Sequence, residues 1–255
     1  MLRLTSATAL VIVVLASGLH AQVNTERMRI SGSEQGLSGS AGISLRLKTG
    51  NVEVVDTGMT LRIQQVMQKH SVFFVSDIQY AARYSKAFIN RGFNHVRYNY
   101  NLYNRFTWEL FSQHEFNEFT RLFSRTLFGT GVRSRMLLRQ SFSIYYGTAY
   151  MLEHERVDVQ TGSGGAPKVR SHRWSNYLTV RWNISGTANL VNTVFAQPRF
   201  DYFDDFRILN ESELQSRISE RLLLALSLSL RHDSVPPLGV KMTDLEIRNS
   251  ITISF

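Results

Sequence analysis

Three places in the chain hold residue types that can do chemistry. His232-Asp233-Ser234 sets a histidine and a serine at i and i+2, on one side of an extended strand, where an imidazole can take a hydroxyl proton and leave a nucleophilic oxygen. Such a base needs a third group to orient it, and no strand motif supplies one. Ser234 also stands two residues before Pro236-Pro237, so turn chemistry at a hairpin end accounts for the same residues. His114-Glu115-Phe116-Asn117-Glu118 lacks the second histidine of a HExxH zinc helix, and His154-Glu155 has no converging partners, so neither predicts a metal site. Thr161-Gly162-Ser163-Gly164-Gly165-Ala166-Pro167 lacks the GxxxxGK[ST] spacing of a phosphate cradle and reads as a flexible surface loop. With no cysteine, thiolate zinc sites, iron–sulfur clusters and cysteine nucleophiles are excluded. No cofactor is expected.

The elements that would carry these residues are organised in three stretches. Met1 to Arg3 give a basic start, Leu10 to Ala16 a short apolar core, and Ala21 a small residue before Gln22, which predicts a secretory signal peptide over residues 1–21. Residues 22–36 are polar and without regular period, a flexible lead-in. No later apolar run approaches the roughly 20 residues of a spanning helix, so a helical membrane protein is not expected. The remaining 37–255 contain most of the chain's 16 Phe and 10 Tyr, and they alternate.

Leu37, Ala41, Ile43, Leu45 and Leu47 fall on odd positions with Ser38, Ser40, Ser44 and Arg46 between them, the period of a strand with one apolar face. The pattern recurs with Met59, Leu61 and Ile63, with Val72, Phe74, Ile78, Tyr80, Ala82 and Tyr84, and with Val96, Tyr98, Tyr100 and Leu102. It continues through Phe106, Trp108 and Leu110, through Leu122, Phe128 and Val132, through Phe142 to Leu152, and through Trp174 to Trp182. Residues 187–200 are ambiguous in phase, since Leu190 and Val194 compete with Val191 and Phe195. Ile208 and Leu214 follow, then Leu222, Leu224, Leu226, Leu228 and Leu230 on consecutive even positions, then Leu245 to Phe255.

About twelve such runs, most of them long enough to cross a bilayer at a tilt, predict a closed antiparallel transmembrane β-barrel with up-and-down topology. A soluble barrel would show the same alternation, but a lumen of twelve strands is too wide for a single apolar layer to fill, so the apolar face must look outward into lipid. With periplasmic termini, outward turns are expected near 49–51, 85–92, 117–120, 154–171, 200–206 and 233–243, and inward ones near 64–70, 104–105, 137–140, 185–186 and 218–221. The polar face then carries many arginines, and Arg97, Arg125, Arg133, Arg173, Arg181 and Arg207 are expected to face the lumen. In a water-filled pore that wall would favour anions. Paired with glutamates from neighbouring strands, it would instead fill the lumen, and the bulk of arginine favours a filled or narrow one.

The chain ends Glu246-Ile247-Arg248-Asn249-Ser250-Ile251-Thr252-Ile253-Ser254-Phe255, where Ile251, Ile253 and the terminal Phe255 resemble the C-terminal signal read by the barrel-assembly machinery. Leu47-Lys48-Thr49-Gly50-Asn51, Leu127-Phe128-Gly129-Thr130-Gly131-Val132-Arg133, and Asp233-Ser234-Val235-Pro236-Pro237-Leu238-Gly239 with Asp244 together resemble the salt-induced, YdiY-like family of bacterial outer-membrane proteins. That resemblance implies an outer-membrane β-barrel and brings no activity, ligand or catalytic residue. The His232/Ser234 pair is similar to the His-x-Ser pair of outer-membrane phospholipase A and of lipid A deacylases.

These readings predict an integral outer-membrane barrel that is not an enzyme, with a structural, stress-related or narrow small-solute pore role. A surface lipid hydrolase using His232 and Ser234, or a barrel binding ligand through its extracellular loops, are the alternatives. Expected partners are outer-membrane lipid and the barrel-assembly machinery. Nucleic acid is not one, because the charges behind the net +9 are spread through every strand rather than gathered in a patch.

Overall fold

The computed structural model describes residues 35–49, 54–84, 86–103, 105–157, 168–219, 222–237 and 239–253. The expected signal peptide, the lead-in up to residue 34, the 161–167 loop and Phe255 lie outside them.

Twelve antiparallel strands follow one another in a single sheet in chain order. They are β1 (Gly36–Lys48), β2 (Val54–Met67), β3 (His70–Arg83), β4 (Lys86–Tyr103), β5 (Phe106–Asn117), β6 (Leu122–Leu138), β7 (Phe142–Val157), β8 (Lys168–Asn183), β9 (Ala188–Pro198), β10 (Phe206–Arg217), β11 (Leu222–Asp233) and β12 (Thr243–Ile253). A single 3-10 turn, Glu118–Thr120, joins β5 to β6. The sheet rolls so tightly that strands three apart touch through its hollow, as when Tyr177 of β8 donates to Glu109 of β5 at 2.8 Å and Arg207 of β10 reaches Glu155 of β7 at 2.9 Å. Among the described residues no ladder joins β1 to β12.

The two ends differ. At one end the strands are joined through 68–69, 104–105, 139–141, 184–187 and 218–221, and at the other through 49–53, 84–85 and 118–121 and the three longest connections, 158–167, 199–205 and 234–242. The apolar face is the convex one: Trp108, Leu110, Phe128, Tyr150, Trp174, Leu178, Trp182 and Leu226 all lie exposed on it. The regular even leucines of β11 face outward as their period requires.

The structure moves several expected boundaries. Residues 86–92, read as a turn, belong to β4, whose ladder with β3 shifts at Ala81/Ala82 and leaves Phe88 bulged. Ala82 keeps the outward register of Val55, its partner on β2, although it is buried there. A second bulge at Phe123 turns Leu122 inward, against its expected phase. Strands β7 and β8 run further than the alternation suggested and shorten the expected 154–171 loop to 158–167. In β9, Thr193, Phe195 and Gln197 are buried inside while Leu190 and Val194 face out, paired with Leu214 and Asn210 of β10, which resolves the ambiguous phase.

Candidate functional site

The inside of the roll between β3 and β10 is filled in layers. Near the long-loop end lies a network of buried charges. Glu153, 1% exposed, accepts from Arg173 Nε at 3.1 Å and from Arg207 Nη1, and lies 3.6 Å from Arg125 Nε. Glu155 accepts from Arg125 Nη2 at 3.1 Å and Arg207 Nη2 at 2.9 Å, and Glu115 from Arg125 Nη1 at 2.7 Å. Arg173 also donates to the Asp205 carboxylate at 2.8 Å and to the Gln197 and Asp205 carbonyls, while Arg207 Nε donates to Asp233 at 2.9 Å. Charges taken this far from water persist when they are paired, and each of these three guanidinium groups and five carboxylates stands in an ion pair.

Below the network sits an apolar layer that the alternation did not predict. Phe73, Val75, Phe93, Leu127, Met151, Tyr177, Phe195 and Leu209 are buried inside, and the His95 ring stacks against Phe73, Phe93 and Phe111. The sequence did hold a signal for it: Phe73/Phe74, Leu110/Phe111, Leu127/Phe128, Val194/Phe195 and Ile208/Leu209 are adjacent apolar pairs, which in a strand must put one member on each face. Backbone glycines make room for the rings. A Cβ at Gly129 would lie 2.2 Å from the Phe111 ring, and one at Gly147 2.1 Å from the Tyr177 ring. The cavity between these groups, bordered by His95, Glu109 and Tyr177, is about 30 Å³, room for about one water. Beneath it Arg97 pairs with Glu109 at 3.4 Å and lies over the Phe111 and Phe73 rings, and Arg133 lies over Tyr145 at 4.1 Å. At the short-turn end the roll opens into a vestibule of about 480 Å³ that includes Arg181, Glu213 and Gln215.

The six arginines expected in the lumen stand on the concave side of the roll. Arg97, Arg125, Arg133, Arg173 and Arg207 are buried, and Arg181 borders the vestibule. They do not form a bare positive wall, because carboxylates and aromatic rings are interleaved with them.

The side of the roll made by β1, β2 and β11 is different. Cross-strand register puts Ser38, Ser40, Gly42, Ser44, Thr60, Ser227 and Ser229 on the concave face, small groups of which Ser40 and Ser44 are exposed. A Cβ added at Gly42 would meet nothing within 4 Å.

The other candidates resolve simply. Ser234 Oγ donates to the Asp204 carbonyl at 2.7 Å and accepts from Phe206 N at 2.8 Å, so it ties the 234–242 connection to the 199–205 loop. His232 Nδ1 instead meets Thr243 Oγ1 at 2.9 Å. The structure therefore does not bring His232 and Ser234 together as base and nucleophile. His114 bonds Thr126, and among the described residues no three His, Asp or Glu side chains converge on a metal position. Ile251 and Ile253 are in β12, and Phe255 lies beyond the described residues.

Residues 41–255 match the family described as protein of unknown function DUF481, and the chain belongs to that family. No curated protein matches the chain. Among solved structures it is similar to a NanC porin, at 13% identity and a TM-score of 0.49, over 78% of this chain and 94% of that one.

Proposed function

We propose that this DUF481 protein spans the bacterial outer membrane, inserted there by the barrel-assembly machinery, and passes small solutes through a narrow lumen running along β1, β2 and β11. Its outward face supports the membrane reading. Trp174 with Tyr150, and Trp182 with Phe142, form two aromatic pairs on β7 and β8. They stand eight residues apart, about 27 Å along a strand and about 20 Å along the axis at the usual tilt, which fits the apolar band of outer-membrane barrels. The long connections at one end then face the cell exterior.

One observation carries the pore reading: among the described residues the space over Gly42 is open, while between β3 and β10 the layers above the vestibule hold cavities of about 60 Å³ or less. Serine and threonine hydroxyls share that face with Arg62 opposite Ser40, Gln64 opposite Ser38 and Glu246 opposite Ser229, a polar lining that suits hydrated solutes. The test is single-channel conductance of the refolded chain in planar bilayers. Small discrete steps are expected, reduced in Gly42→Trp and unchanged in Leu45→Trp, whose side chain points to lipid. Silence in the parent protein would leave a filled structural barrel.

A further inference from the structure

The outward face of β5 to β8 changes character near the long-loop end. Below Leu152 it is mainly aromatic and aliphatic, with uncharged Thr130, Thr148 and Asn176 among the rings; above, register sets His114, Thr126, His154 and Arg170 in one row across four strands. One row further out Arg156 stands directly opposite Lys168. His114, His154, Arg156, Lys168 and Arg170 are all exposed, and among the described residues no carboxylate shares the outward face of these four strands. The neighbouring acids are engaged elsewhere. Glu118 accepts from Asn90 at 2.8 Å, and Asp201 is paired with Arg199 at 2.6 Å.

Like charges directly opposite on an antiparallel pair repel, and Arg156 and Lys168 are such a pair. The arrangement becomes favourable when an anion lies between them, and a guanidinium beside ammonium and imidazole groups matches phosphate oxygens in number and direction. Arg156 is propped over the Phe123 ring, the residue the β6 bulge turns outward, so its head is held on this face. The site lies four to six residues beyond Tyr150, about 14 to 20 Å along the strand. That is the head-group level of the outer leaflet if the proposed membrane orientation holds, and the inference rests on that reading.

We infer that Arg156, Lys168 and Arg170, flanked by His114 and His154, form a binding site for the phosphate of a phosphorylated glycolipid in the outer leaflet.

The experiment uses the full chain refolded into phosphatidylcholine vesicles with or without diphosphoryl lipid A. Insertion is read by heat-modifiable mobility, and bound lipid by the phosphorus retained after exchange into neutral detergent. The parent is expected to retain lipid A and to melt at a higher temperature in its presence. Arg156→Gln/Lys168→Gln/Arg170→Gln should insert normally and lose retention, about fivefold for each cation removed. Lys69→Gln/Arg105→Gln/Arg139→Gln, with as many charges removed at the opposite end, should retain it fully. In plain phosphatidylcholine the sign reverses, and Lys168→Gln alone should melt no lower than the parent because it removes a repulsion. Equal retention by the two triple variants, or displacement of lipid A by millimolar inorganic phosphate, would overturn the lipid site. Failure of the parent to insert would overturn the membrane reading itself and the site with it.

Discussion

The two halves of the lumen are built by opposite rules. Between β3 and β10 the inward side is packed, with arginines locked to glutamates above a layer of phenylalanines seated on glycines. Along β1, β2 and β11 serines, a threonine and a glycine stand among Asp56, Arg62, Gln64 and Arg231, and a Cβ at Gly42 would meet nothing within 4 Å among the described residues. Rigidity and the proposed passage would in this way fall to different strands of one sheet, since a roll of twelve strands is wider than side chains from all sides can close. A glycine serves both halves with contrary meaning: at position 147 it admits a ring, and at position 42 it leaves a gap.

The largest expected effect tests the filled half. Glu153→Ala strands Arg173 and Arg207 without their shared carboxylate and should cost about 3 to 5 kcal/mol, read by urea unfolding in vesicles. Ser40→Ala, in the open half, should change stability by less than about 0.5 kcal/mol. Similar losses in both variants would dissolve the distinction between the halves.

Next comes the outward face that both halves share. Leu226→Arg should hinder insertion by about 2 to 4 kcal/mol at mid-bilayer, whereas Ser227→Arg, one residue on and facing the lumen, should insert nearly normally. Equal insertion of both variants would reverse the assigned faces.

The alternation that places Leu226 and Ser227 was legible from the sequence because period two survives wherever one face meets lipid and the other water or charge. Strand number, order and the inward placement of Arg97, Arg125 and Arg207 follow from it. It failed where a third environment intrudes. The apolar layer of Phe73, Phe111 and Phe195 makes both faces apolar, so β9 had no readable phase. A bulge at Phe123 shifts the period by one and turned Leu122 inward. Pairing of lumen arginines with glutamates was one of the two expected arrangements, but its partners were not legible: nothing in the spacing of Glu153 and Arg207 reveals that β7 and β10 meet through the hollow.

A smaller effect compares the two glycines directly. Gly147→Val would drive methyl groups into the Tyr177 ring and should cost about 1 to 3 kcal/mol in melting experiments, with no consequence for conductance. Gly42→Val meets no atom within 4 Å on the way out of the backbone, so stability should hold while conductance falls. The reverse pattern would move the passage to the other half.

The smallest effect lies in the 199–205 loop above the filled half. Arg199 donates to Asp201 at 3.0 Å and to Asp205 at 3.1 Å, and its own amide bonds the Asp205 carbonyl at 3.0 Å. The hydrogen bond from Arg199 holds the Asp201 carboxyl below the ordinary aspartate range, and the same contact raises the guanidinium further above its own. A depressed carboxyl contributes its stabilisation fully above its unfolded pKa, about 3.9, and loses it as pH falls through the lower folded value. Nothing should therefore happen to this loop between pH 8 and about pH 5. Hydrogen exchange at the Arg199 amide, corrected for its intrinsic pH dependence, should quicken only in acid below about pH 4, while Asp201→Asn should show the faster exchange at every pH. The amides of β7 beneath it should stay protected in both proteins. Exchange that quickens near neutrality, or loss of protection reaching β7, would mean that the loop clasp and the buried network unfold as one unit.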